Sequence, residues 1–361
     1  MRILTAKGDL MKVVVRKGGL ILAGLLITII IAGQFSAVPG ENAASVDVVS
    51  ERVLIAGGHS IGVQMDVRGV LVVWREEITG SDGKIVNPGL EAGLQIGDMI
   101  LAINGTKVYK AKEVEELVNE IRDTVKLKVQ RKSRTFTVQL TPVESRKDGV
   151  YKMGIWIKDR TAGIGTLTYY DPVNQTFGAL GHAITDPETG AVLTVNDGKL
   201  LRAKVQNIKE GKSGEPGEIQ GVFYETDSPL GDLMLNSELG LFGETYHPIE
   251  NPVYSKPVVA ASKDQIETGK AYILTTLENN KIERYEIEIQ RVYKRSRDSN
   301  KNMVIRVTDE RLLKASGGIV QGMSGSPIIQ DGKLVGAVTH VLVNDPTRGY
   351  GIFIENMLDA A

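Results

Sequence analysis

The chain has 361 residues, a net charge of −1 at pH 7 and no cysteine. This length allows two domains with additional segments, and the near-neutral charge provides no bulk field of the kind that attracts nucleic acid. The absence of cysteine excludes a thiol nucleophile, disulfides and thiolate metal sites. No cofactor or metal is expected, and the many glycines favour short strands joined by tight turns.

The first 50 residues predict a membrane anchor and a linker. Residues 1–17 are basic, and residues 18–35 contain no charged side chain over a length that suffices for a transmembrane helix. The basic flank predicts that the N-terminus is cytoplasmic and the remaining chain extracytoplasmic. A signal-peptide cleavage site is poorly formed after this segment, which favours an uncleaved anchor over a removed one. Residues 36–50 are small and polar, as in a linker.

Residues 51–143 resemble a PDZ domain. The resemblance is carried by Ala92-Gly93-Leu94, Gly97-Asp98-Met99-Ile100 and Ile103-Asn104-Gly105, which precede a segment with apolar residues at helical spacing, 111–122. The turn at Asn104-Gly105 is typical of a hairpin. In PDZ domains a glycine-containing loop binds a peptide carboxylate, and an extended peptide then pairs with the adjacent strand edge. The resemblance places that loop at Ser60, Ile61, Gly62 and Val63.

Residues 144–361 predict an all-β domain. Short apolar or alternating segments recur, separated by Gly, Pro, Asp and Asn, and no alternation of strands with helices suggests a parallel sheet. One short helix is expected at Glu310–Ala315, with Thr308 or Asp309 as its N-cap. Two barrels or a sandwich are both compatible with this pattern.

A glycine-flanked serine stands near the end of this domain, in Gly322-Met323-Ser324-Gly325-Ser326-Pro327. The segment resembles the nucleophile motif of chymotrypsin-type serine peptidases, although Met323 and Ser326 depart from the common form. The resemblance implies that the N–H groups of Gly322 and Ser324 form the oxyanion hole. An ordinary Gly-Ser-Pro turn is the alternative interpretation.

A serine hydroxyl needs a base, and His182 is the best of four histidines. It lies between Gly181 and Ala183 and precedes the serine, in the chain order of chymotrypsin. His340, in an alternating strand after the serine, is interpreted as a packing residue. For the acid that orients the base, the residues alone leave Asp227 and Asp309 about equally supported.

The anchor, the PDZ-like segment, Gly-His-Ala-Ile-Thr-Asp and Gln-Gly-Met-Ser-Gly-Ser-Pro together resemble the stage IV sporulation protein B peptidase family. This resemblance implies the triad His182, Asp309 and Ser324. It also implies a mainly β protein, with the PDZ domain followed by a chymotrypsin-like double β-barrel. The resemblance further implies a membrane-tethered serine endopeptidase that would cleave a membrane-associated regulatory protein and itself in the forespore intermembrane space, so that a late sigma factor is activated.

The expected partners are therefore a protein substrate and the chain itself as peptide ligands, together with the membrane through residues 18–35. A non-catalytic PDZ scaffold that tethers extracytoplasmic partners is the alternative from another class. It would rest on the intact peptide-binding signature and the imperfect serine motif.

Overall fold

The computed structural model describes residues 52–361 except 188, 279 and 296–299. The predicted basic segment 1–17, anchor 18–35 and linker 36–50 lie outside the described residues. Within the described ranges, no helix is both long enough and apolar enough to cross a membrane.

Two strands open the described chain, and the second is unusually long. They are β1 (Val53–Ala56) and β2 (Ser60–Arg75). Most residues of β2 are buried on both faces of the strand, with Arg68 and Trp74 as its exposed members. A strand covered on both faces lies between two packed layers rather than at the protein surface.

A small α+β unit follows β2. Its elements are β3 (Ile78–Thr79), β4 (Ile85–Val86), α1 (Pro88–Glu91), β5 (Met99–Ile103), β6 (Thr106–Lys107), α2 (Ala111–Ile121), β7 (Val125–Arg131), β8 (Arg134–Leu140), β9 (Val143–Glu144) and β10 (Tyr151–Lys152). The predicted helix is confirmed to within one residue. Val114 and Val118 of α2 are buried in a core shared with β5 and β7, as their spacing on one helical face requires.

The next strands form the first β-barrel. They are β11 (Ile155–Asp171), β12 (Thr176–Ala179), β13 (Val195–Lys209), β14 (Glu218–Tyr224), β15 (Gly231–Ser237) and β16 (Gly240–Thr245). Antiparallel pairing runs from β2 through β11, β12, β16, β15 and β13 and returns to β2, while β14 extends the sheet from β13. Its core includes Ile61, Met65 and Phe177, all fully buried.

The second β-barrel is also closed. Its elements follow β17 (Val258–Val259) and a 3₁₀ turn, Lys263–Gln265, and they are β18 (Gly269–Thr276), β19 (Ile282–Val292), β20 (Met303–Val307), α3 (Glu310–Ser316), β21 (Pro327–Gln330), β22 (Lys333–Leu342), β23 (Asp345–Phe353) and α4 (Ile354–Asp359). Pairing runs β18–β19–β20–β23–β22–β21 and back to β18. The chymotrypsin-like double β-barrel is therefore confirmed, and the sandwich is not.

Strands β2 and β11 belong to both the first barrel and the PDZ-like unit. Ser60 to Gly62 pair with the far half of β11, whereas Trp74 pairs with Trp156 near its start, and Val70 pairs with β5. The predicted limits 51–143 for the PDZ domain do not match these pairings, because Ile61 to Met65 pair with the barrel strands β11 and β13. The PDZ-like unit is an insertion between two barrel strands.

Candidate active site

The nucleophile segment follows α3 and leads into β21. Gly322 has φ +98° and Gly325 has φ +96°, a backbone region that side chains other than glycine rarely adopt. A Cβ on Gly325 would lie 2.0 Å from the carbonyl oxygen of Thr166. Thr166 also donates from its N–H to the Ser324 carbonyl at 3.0 Å and from its hydroxyl to the Gly322 carbonyl at 2.8 Å. Strand β11 of the first barrel thus fixes the serine loop of the second.

The Ser324 hydroxyl is engaged in this conformation. It donates to the backbone carbonyl of Thr339, in β22, at 2.7 Å. The Thr339 hydroxyl in turn donates to the carbonyl of Asn300 at 2.9 Å. A hydroxyl bonded to a carbonyl is not activated, because a carbonyl is no base for its proton.

His182 lies in the turn that follows β12. Leu180 and Gly181, directly before it, both have positive φ values, +65° and +70°. Leu180 stores backbone strain because it is not a glycine, whereas Gly181 adopts this region freely, and such strain is common at functional sites. The carbonyl of Ala183 accepts a 2.8 Å hydrogen bond from Nδ1–H of His182, and this bond sets the tautomer that leaves Nε2 free to accept a proton.

Burial lowers the pKa of His182 below its usual value, and the hydrogen bond to Ala183 opposes that shift. The imidazole is therefore neutral at physiological pH, as a general base must be. The side chain of Asn236 secures the segment that carries it. Its amide nitrogen donates to the carbonyls of Ile184 and Leu193, at 2.8 and 2.7 Å, and its oxygen accepts from the N–H of Ile184 at 2.8 Å.

His182 and Ser324 face the same cavity, which has a volume of about 470 Å³ and lies between the barrels. The structure thus brings the predicted base and nucleophile together. His340 also lines this cavity, with its ring centroid 5.0 Å from that of His182. Burial, followed by the neighbouring charges of His182 and Lys301, lowers the pKa of His340 to about 4. The interpretation of His340 as a packing residue missed this position beside the base.

The predicted oxyanion donors are available. Among the described residues, neither the N–H of Gly322 nor that of Ser324 has a hydrogen-bond acceptor. Two unpaired N–H groups on a loop held by β11 are the elements of an oxyanion hole.

Neither candidate acid reaches the base. Asp309 is the N-cap of α3, where its carboxylate accepts from the N–H of Arg311 and pairs with the Arg311 guanidinium at 2.9 Å. The hydrogen bond from Arg311 is the main cause of its lowered pKa. Asp227 lies in the exposed turn between β14 and β15. In the part of the chain that the structure describes, neither carboxylate contacts His182, so the acid of the triad stays a prediction.

The position predicted for the peptide-binding loop of the PDZ domain is wrong. Ser60 to Val63 pair with β11 on one side and Ile61 to Val63 with β13 on the other, so no open edge remains there. The groove beside α2 is instead lined by residues 150–157. The Asn119 amide of α2 already holds the backbone N–H and carbonyl of Tyr151, at 2.9 and 3.3 Å. Part of this groove is therefore occupied by the chain itself.

No group of three or more metal-ligating side chains occurs among the described residues. Thr339, His340 and Asn236 are residues of the site whose roles reasoning from the sequence missed. Only the first two had a local signal, because they lie in Gly336–Leu342, the strand after the serine, which is predicted by analogy with chymotrypsin-type enzymes to line a specificity pocket.

Two protein-family models match this chain. The PDZ domain family matches residues 88–131, and the SpoIVB peptidase S55 family matches residues 149–358. Among solved structures, the active form of the Rv3671c protease from M. tuberculosis is 14% identical, covering 55% of this chain and 72% of that one with a TM-score of 0.34. Its inactive form is also 14% identical, covering 54% and 81% with a TM-score of 0.31. The match over more than half of the chain shows that this protein belongs to the SpoIVB peptidase S55 family of serine peptidases.

Proposed function

We propose that this peptidase is a membrane-tethered endopeptidase of sporulation signalling that cleaves a membrane-associated regulatory protein and itself, so that a late sigma factor is activated. The cavity shared by His182 and Ser324, beside two unpaired oxyanion donors, is the observation that carries the catalytic part. The family name supports the sporulation role. The uncharged segment 18–35 supports the tether and the extracytoplasmic location of both folded units.

The reaction starts when the Ser324 hydroxyl leaves the Thr339 carbonyl and turns toward Nε2 of His182. His182 takes the proton as Ser324 Oγ bonds to the peptide carbonyl carbon, and the N–H groups of Gly322 and Ser324 stabilise the oxyanion. His182 then protonates the leaving amine, and an acyl-enzyme remains. Water, deprotonated by the same imidazole, hydrolyses the acyl-enzyme and restores Ser324.

The acid partner is tested separately. Asp309 is the family-based candidate, and in this role it would have to exchange Arg311 for His182. We expect Asp309→Asn to fold, since asparagine is an equally good N-cap, and to lose turnover. Loss of turnover in Asp227→Asn alone, with both variants folded, would assign the acid to Asp227.

The lining of the cavity also indicates which substrate side chain the enzyme prefers directly before the scissile bond. No charged residue lines it, and its wall beyond Ser324 is built from Ile319, Val320 and Val341. Ile319 is only 2% exposed and fills the space above Gly349, where a Cβ would lie 2.7 Å from it. We therefore propose an apolar side chain at this position, because a charged one would be left without a partner.

A fluorophosphonate probe tests the catalytic proposal directly. We expect the probe to label Ser324 of the purified full-length chain, and Ser324→Ala or His182→Ala to remove labelling and to slow self-cleavage by ~10⁴-fold or more. The control is Ser213→Ala, because Ser213 is an exposed serine that donates to the Asn344 carbonyl. Undiminished proteolysis by folded Ser324→Ala protein would refute the assignment. The non-catalytic scaffold, which no observation in the structure favours, predicts no labelling at all.

A further inference from the structure

A large open cavity lies on the PDZ-like unit, away from the catalytic serine. Its volume is about 1080 Å³. Four cationic side chains line it, and no aspartate or glutamate does. We call this cavity the basic trough, and its cations are Arg68, Lys107, Lys126 and Lys128.

Strand register places the three lysines on one face, and Arg68 lines the trough from β2. Lys107 of β6 and Lys128 of β7 are both cross-strand partners of Ala102, one on each side. Cross-strand partners point to the same face of a sheet, and Lys126, two residues before Lys128, shares it. The small side chain of Ala102 between two lysines leaves the floor of the trough open.

The opposite face of the same sheet is the apolar core. Val125, Leu127 and Val129 of β7 alternate with the lysines and pack toward α2. The trough is thus the outer surface of the sheet, separated by the core from the α2 groove. Asn104, Tyr109, Thr124, Thr137 and Asn196 complete its lining with hydrogen-bonding groups.

The four cations have no internal counterion. Within the described ranges, none of them forms a salt bridge, and the partners of the two β7 lysines on β8, Thr137 and Gln139, are neutral. Like charges that gather on one face repel one another, and a sheet normally relieves this with opposite charges across the strands. An external anion would provide the missing compensation.

We propose that the basic trough binds an acidic segment of a polypeptide, distinct from both the active site and the α2 groove. Four cations along a concave sheet surface match successive carboxylates of an extended chain. The Asn104 amide nitrogen and the Thr137 hydroxyl can hydrogen-bond to its backbone, whereas Asn104 Oδ1 already accepts from the N–H of Lys126 and the Thr124 hydroxyl is bonded to that of Thr141. A flat lipid surface fits a concavity less well than a single chain does. For the peptidase, the trough would retain substrates that carry acidic residues at a distance from the cleaved bond.

Fluorescence anisotropy with a labelled Glu-rich decapeptide tests this, with a Gln-rich peptide of equal length as the neutral probe. The full-length chain carries Ser324→Ala so that the peptide stays intact. We expect binding of the Glu peptide only, and weakening as salt shortens the screening length below ~8 Å. Lys126→Glu/Lys128→Glu should bind roughly tenfold or more weakly, and Lys126→Gln/Lys128→Gln should lie between.

The control is Lys84→Glu/Lys112→Glu, which makes the same charge change at exposed lysines outside the trough. Equal loss in both glutamate pairs, or no binding of the Glu peptide, would overturn the proposal. So would phosphatidylglycerol vesicles that bind the chain through Lys126 and Lys128 while the Glu peptide does not. The binding readout is independent of hydrolysis, so it stands or falls separately from the proposed protease function.

Discussion

Replacing Gly325 by alanine tests how the serine loop depends on the first barrel. Gly325 has φ +96°, and a Cβ there would lie 2.0 Å from the Thr166 carbonyl oxygen and 2.5 Å from the Leu180 nitrogen. Both atoms belong to backbone, so no side-chain rotation can relieve the contact. Ordinary contact needs about 3.4 Å or more, and the loop must therefore move by more than about 1 Å relative to β11 and the His182 turn.

Two effects add in this variant. The positive φ costs on the order of 1–3 kcal/mol, and the steric displacement adds a similar amount, so the free energy of unfolding should fall by roughly 3 kcal/mol or more. A misplacement of about 1 Å between Ser324 and His182 should reduce the rate by ~10²-fold. Urea denaturation measures the first quantity, and the rate of fluorophosphonate labelling at Ser324 measures the second.

Gly332→Ala is the matched control. Gly332, in the turn between β21 and β22, also has a positive φ, +76°, but no atom lies within 4 Å of the Cβ that would be added. It should cost about 1 kcal/mol from backbone strain and leave labelling unchanged. If Gly325→Ala labels at the wild-type rate, or destabilises no more than Gly332→Ala, close contact between the barrels does not position the nucleophile.

Three further outcomes are expected. Asn236→Asp should lower the melting temperature more at pH 7 than at pH 4, because a buried carboxylate facing the carbonyls of Ile184 and Leu193 needs its proton; a pH-independent loss would contradict this. The pKa of His340 in the folded state, near 4, lies below its unfolded value of about 6.5. Its contribution to the free energy of unfolding is therefore present above pH 6.5 and lost as the pH falls toward 4. In His340→Gln, the free energy of unfolding measured in urea should therefore fall by about 1 kcal/mol less between pH 6.5 and pH 4 than in the wild type, after allowance for partial exposure of the ring. An unchanged dependence of that free energy on pH would refute this. Ile319→Ala should shift cleavage of a peptide library toward larger apolar side chains before the scissile bond, whereas an unchanged preference would place the specificity pocket elsewhere.

The pairing of β2 shows where reasoning from sequence stopped. Its apolar residues correctly predict a buried strand. The sequence-based prediction assigns Ser60 to Val63 to a PDZ groove, whereas in the structure they belong to the first barrel. A strand's side-chain period fixes its faces and says nothing about which distant strand supplies its hydrogen bonds. Only the fold could show that one continuous strand serves two cores.

The sequence by itself determined what depends on local chemistry. The glycines around Ser324, the spacing in α2 and the cap at Asp309 all lie within a few residues of the feature they specify, so the serine loop, the helix and its start could be predicted. The tertiary structure decided what depends on contacts between distant segments. It placed the Thr339 carbonyl on the Ser324 hydroxyl and His340 beside His182, and it put neither Asp309 nor Asp227 in contact with His182. The first contact lies within the second barrel and the second joins the two barrels, so both depend on strand pairing over long sequence separations.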